Sequence, residues 1–129
     1  MRLWHYKLIP VLPKEMLVSQ WRECIAIKRQ WEKGTLKHRL VSYVMAEDIR
    51  KFQTYTYMIM SEMNKRNIKF QMKYWVEIKD FCGDDFLSNP YITHNDRYLK
   101  QCYYNLQEKY DRGIITQEEW EKIENVTEI

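Results

Sequence analysis

The chain has 129 residues, 45% of them hydrophobic and 15% aromatic, which suits one folded core and is too apolar for a disordered chain. No apolar run reaches the roughly 18 residues a membrane helix needs, and Cys24, Cys82 and Cys102 are spaced too irregularly for a disulfide framework or a zinc motif. The net charge of +3 hides an asymmetry: residues 1–43 carry nine Lys/Arg against three Glu, and residues 44–129 twelve against fifteen acids.

Thiols in this pattern point to a reduced, intracellular compartment. Residues 1–13, with Arg2, His5, Lys7 and two prolines, do not read as a secretory signal. A basic first third fits a phosphate-contacting surface, or simply a solvated helix face.

In chain order, Pro10 and Pro13 bracket the end of an extended arm over residues 1–13. A helix is predicted from near Pro13 to about Arg29, with Leu17, Trp21, Cys24 and Ile25 at helical spacing. Residues 30–43 read as a basic loop holding Gly34. The longest periodic segment, about 45–66, carries Ile49, Phe52, Tyr55, Ile59 and Met63 as one stripe, with Asn67 as its stop. Residues 68–92 partly alternate apolar with polar and are expected to be mostly loop with short helical turns. Thr93 and Asp96 form a capping-box-like pair opening a helix that runs to about Asp111 and is capped by Gly113. Thr116 and Glu119 open a short helix around Trp120. The predicted class is all-α: a single domain over 1–129, with three main helices, short helical turns and long loops, and an acidic extension over 113–129.

The common chemical motifs are missing: there is no Gly-rich phosphate loop, GxSxG or HExxH. His5, His38 and His94 lie far apart, so neither a metal site nor a cofactor is expected. Cys24, Trp21 and the tyrosines of 55–57 read as core. The first helix is less easily explained. In "SQWRECIAIKR", Arg22 and Arg29 are seven apart and share a face, and Glu23 is one of three acids in the basic third. Glu23 could simply pair with a neighbouring cation.

The order of these features resembles the pyrimidine-dimer DNA glycosylases, the phage endonuclease V-type UV repair enzymes and their bacterial relatives. The resemblance spans about residues 1–112. "MRLWHYKLIPVLP" is similar to the opening of the bacterial branch, and "LVSQWRE" to the family's catalytic helix. "LKHRL" is similar to its Lys-His loop, "YMIMSEMNKRNIKF" to the end of its second long helix, and "YITHNDRYLKQCYYNLQEKYDRG" to its last long helix.

The resemblance implies a helical enzyme that binds damaged double-stranded DNA, cleaves the glycosidic bond of a pyrimidine dimer and nicks the abasic site. Its nucleophile would be the N-terminal α-amine and its essential acid Glu23. Arg2 is too large a neighbour for methionine removal, so Met1 is expected to keep a free amine. An α-amine titrates at about 7.7–8.0 against about 10.4 for lysine, so a useful fraction is unprotonated near neutrality. Glu23 lies about 15 Å into its helix, and a 12-residue arm can span up to about 40 Å, so Met1 can fold back beside it. Arg2 and Arg22 would clamp phosphates, with Lys28, Arg29, Lys33, Lys37 and Arg39 adding backbone contacts. Lys109 corresponds to a phosphate-contacting lysine on the last long helix.

The chain departs from the family in Glu15, Met16 and Ala26, where the family has Gln, His and Arg, and in its acidic tail, which is not expected to lie on DNA. The substrate could then be another damaged base, or an abasic site alone. A monomer is expected. Two other readings are a non-catalytic DNA-binding relative and a protein-interaction domain using the acidic C-terminal helix.

Overall fold

Pro13 sets the start of the first long helix, since it lacks the N–H that a helix start would leave unpaired. In the computed structural model, residues 1–83 and 89–127 are described, and they form one 3₁₀ helix and six α-helices, with no strand among them. The elements are η1 (Tyr6–Val11), α1 (Lys14–Glu32), α2 (Tyr43–Ala46), α3 (Ile49–Lys65), α4 (Met72–Cys82), α5 (Asp96–Asp111) and α6 (Gln117–Thr127). The all-α expectation holds.

α1 buries Leu17, Trp21, Cys24 and Ile27, and α3 buries Phe52, Tyr55, Ile59 and Met63. Both stripes recur every three or four residues and meet in one cluster of buried side chains. α1 runs three residues past the expected Arg29. It ends at Gly34, whose φ of +72° lets the Thr35 and Gly34 N–H groups return to the Gln30 and Trp31 carbonyls. Asn67, at φ +59°, closes α3 in the same way, and Gly113 closes α5.

Residues 72–82 correct the loop expectation. Trp75, Ile78 and Cys82 fall three and four apart, and α4 packs this face on α1 and α3. The local alternation of apolar and polar residues was the weaker pattern. Residues 84–88 of that stretch lie outside the described residues. The cap of α5 is also corrected: Asn95 Oδ1 accepts from the Tyr98 N–H, while the Thr93 hydroxyl and N–H donate to Glu47. The Thr116–Glu119 capping box forms as expected, with both reciprocal bonds present. Of the tyrosines expected in the core, Tyr55 is buried but Tyr57 is 44% exposed, its ring tilted on Trp75.

Two elements hold the N-terminal arm. Arg66, just past α3, donates to the carbonyls of Leu12, Pro10 and Ile9 at the end of η1. α6 packs on η1 and α5, with Trp120 against Tyr103 and Tyr110 and with Ile123 buried. The apolar face of α6 is therefore used within the chain, and its glutamates point away from that core.

Candidate active site

The site is built on residues 1–4, whose last three carbonyls and Trp4 N–H are each bonded to a side chain. Leu3 and His5 are buried. The Leu3 carbonyl accepts from the Tyr98 hydroxyl, and the Trp4 carbonyl from the Tyr55 hydroxyl at 2.6 Å. Gln20, 1% exposed, completes the clamp. Its Oε1 accepts from the Trp4 N–H at 2.7 Å, and its Nε2 donates to the Arg2 carbonyl at 2.9 Å and to Glu23 Oε2 at 2.9 Å. One donor and two acceptors on its neighbours fix which way the amide faces. A single side chain thus ties the arm to the carboxylate one helical turn further along α1.

Glu23 is half-buried and, among the described residues, forms no ion pair, so the simple pairing with a neighbouring cation is not what the structure shows. The Met1 amine instead meets His38 Nε2 at 3.5 Å. His38 Nδ1 accepts from the Leu40 N–H at 3.3 Å. In a neutral ring that leaves the proton on Nε2, facing the amine. His38 stands in the basic loop between Lys37 and Arg39, and all three are exposed.

A cleft of about 280 Å³ opens beside Glu23, lined by Trp4, Glu15, Met16, Ser19, Gln20 and Lys109. Lys109 therefore reaches the same cleft as Glu23, although 86 residues separate them. The Arg2 guanidinium lies over the Trp4 ring at 5.9 Å and the Tyr98 ring at 5.8 Å. Arg22 lines a neighbouring groove of about 350 Å³ with Arg29, Lys69 and Tyr74. Lys33, Lys37 and Arg39 are exposed and free of ion pairs among the described residues.

Lys28 is a correction. It is 5% exposed and bridges Glu32 at 3.2 Å and Glu77 at 3.7 Å, so no ammonium is left for a phosphate. Arg29 is half-exposed but also paired with Glu77. Trp4 packs against the core, its backbone is bonded to Gln20 and Tyr55, and it also lines the cleft. Gln20 and His38 are the residues that sequence reasoning did not assign.

The remaining reactive side chains are held in the core. Burial pushes the Cys24 thiol up to about 12, and Cys82 likewise. His94 takes the Tyr6 N–H on Nδ1 and meets the Tyr43 hydroxyl at 2.6 Å, and burial holds it neutral down to about 3. His5 stacks on it with ring centroids 5.3 Å apart. Among the described residues, no group of three or more His, Cys, Asp or Glu is placed to hold a metal ion.

The family profile for pyrimidine dimer DNA glycosylases matches residues 1–76, more than half of the chain. The chain belongs to the pyrimidine dimer DNA glycosylase family. No curated protein and no solved structure matches it significantly. The glycosylase match covers the arm, η1, α1, the basic loop, α2, α3 and the first turn of α4, and so includes Met1, Gln20, Glu23 and His38. Of the cleft, Lys109 lies beyond it. For a glycosylase of this family the substrate is DNA and the process DNA repair.

Proposed function

We propose that the chain excises pyrimidine dimers through a Schiff base on the Met1 α-amine, with Glu23 as the catalytic carboxylate, and then cleaves the abasic strand. The observation that carries this reading is Gln20, which bonds at once to the arm beside Met1 and to Glu23.

The steps follow from that placement. The neutral amine leaves its 3.5 Å contact with His38, which frees its lone pair, and attacks C1′ with that pair. The new C1′–N bond forms as the glycosidic bond breaks, and the base takes up a proton while it stays linked to the neighbouring pyrimidine of the dimer. The attacking nitrogen loses its proton, the sugar ring opens, and its oxygen is protonated, giving the imine. Glu23 stabilises the positive charge that grows on the sugar and moves protons about it. The imine makes the C2′ hydrogen acidic, and its loss expels the 3′ phosphate. Arg2, Arg22, Lys33, Lys37 and Arg39 supply sequence-independent phosphate contacts, while Lys109 offsets the two carboxylates of the cleft. Selectivity for a lesion then comes from how easily the damaged duplex bends and unstacks.

Borohydride reduction tests the reading, since it fixes the imine as a covalent adduct. UV-irradiated duplex should trap on the chain with a free amine at Met1. The adduct should be lost when the amine is acetylated or carries an uncleaved tag, and in Glu23→Gln; His38→Ala should slow it. DNA binding without any adduct would instead mark a non-catalytic relative.

A further inference from the structure

The cleft beside Glu23 has a composition that a phosphate site would not have. Its ionisable lining is Glu15, Glu23 and Lys109, two carboxylates to one ammonium. The unpaired cations Arg22, Lys33, Lys37 and Arg39 lie outside it. A phosphate is repelled from such a cleft and drawn to those cations. What the cleft can take is the uncharged part of a nucleotide.

Its wall suits a base in particular. Trp4 and Met16 present an indole and a thioether, both large and polarisable. The indole is carried on a backbone fixed on both sides, by Gln20 at its N–H and by Tyr55 at its carbonyl. The Trp4 side chain packs on one side against the core and meets the Arg2 guanidinium at 5.9 Å, and among the described residues no ring stacks on it. A partly buried tryptophan on a backbone bonded at both its N–H and its carbonyl is a platform whose ordering cost has been met before any ligand arrives.

We propose that Trp4 is a specificity-determining residue: its indole receives the pyrimidine ring of the nucleotide attacked at C1′, while Glu23 faces the sugar. The inference rests on the amine–Glu23 reading above and adds to it the group that reads the base. It separates two substrates that the chemistry alone treats alike. A dimer-containing duplex has a base to place on Trp4, and a preformed abasic site has none.

The test is borohydride trapping of Trp4→Ala and Trp4→Phe on both DNAs, at matched protein concentration. Stacking of a base on an aromatic ring predicts that Trp4→Ala traps UV-irradiated duplex about tenfold more slowly or worse. The loss on the abasic duplex should be at least severalfold smaller than the loss on the irradiated duplex, and Trp4→Phe should recover most of the latter. The abasic substrate doubles as the control for folding and for placement of the arm. Equal losses on both DNAs would make Trp4 a structural residue of the arm and overturn the proposal, as would unchanged trapping of both. If the unmodified chain traps neither DNA, the amine–Glu23 reading fails, and this one fails with it.

Discussion

Gln20→Leu is the sharpest perturbation of the site, because it keeps the volume of the side chain roughly constant while removing every polar contact. The Trp4 N–H loses its acceptor, and the Arg2 carbonyl loses its donor. The Tyr55 hydroxyl keeps its shorter bond to the Trp4 carbonyl, and Glu23 can turn to water. Two backbone groups are therefore stranded, each at about 1–3 kcal/mol when buried. Both lie at a partly buried edge where water can reach, so about 2–3 kcal/mol is expected, a large share of a typical 5–15 kcal/mol. The effect on chemistry should exceed the effect on stability. An arm displaced by about 1 Å costs on the order of 10²-fold in rate. Urea denaturation at neutral pH measures the first quantity, and single-turnover borohydride trapping, under conditions where the variant is fully folded, the second. An unchanged denaturation midpoint together with an unchanged trapping rate would refute the clamp. Lost stability with full trapping would refute the link between arm register and reactivity.

The buried His94 sets an acid limit. Burial holds it neutral down to about 3 in the fold against 6.5 as its ordinary value, so the unfolded chain binds the proton first. Stability should therefore fall as pH drops below 6.5, by about 2 kcal/mol at pH 5, read from urea midpoints across that window. Lys28→Met should leave the salt dependence of DNA binding unchanged. It should alter stability by only about 0–1 kcal/mol, because Glu32 and Glu77 remain partly solvated and Arg29 still pairs with Glu77. Lys37→Ala combined with Arg39→Ala should instead flatten the plot of log affinity against log salt by up to about 0.9 per lost phosphate contact. Trp120→Ala, which removes the stacks on Tyr103 and Tyr110, should cost about 3–5 kcal/mol in thermal or urea denaturation and leave that salt slope untouched.

The parts of the fold that were legible in the sequence are those decided locally. The stripes of α1 and α3, the stops at Asn67 and Gly113 and the Thr116–Glu119 box all depend on residues within a few positions of one another. What was missed depends on distant partners. Lys28 looked like one more cation because its partner Glu77 sits 49 residues on, in a segment that reads as loop. Thr93 was outcompeted as a cap because Glu47 claims its hydroxyl. Glu23 could be singled out from the order of features along the chain. Gln20 could not, although it left a trace: a polar residue set among Leu17, Trp21 and Cys24, three positions before Glu23. Its meaning depends on the arm folding back, and nothing within α1 encodes that.

The Met1 amine, if it is the nucleophile proposed above, has to satisfy two opposed demands. It must be a free amine, so no residue can precede it, and it must be held as accurately as a side chain on a helix. The structure meets both by fixing the residues after the amine rather than the amine itself. The carbonyls of Arg2, Leu3 and Trp4 and the N–H of Trp4 are each bonded to a side chain from α1, α3 or α5. Arg66 fastens the end of η1, and α6 braces it from the other side. The Met1 side chain packs against the core, and its amine makes one long contact, at His38. The length of the arm is then set by its backbone anchors. An inserted residue between Met1 and Arg2 would push the amine past His38 while leaving every anchor intact. A one-residue change near Pro10 would fall among the carbonyls that Arg66 holds, beyond the anchors on residues 2–4 that set the position of the amine.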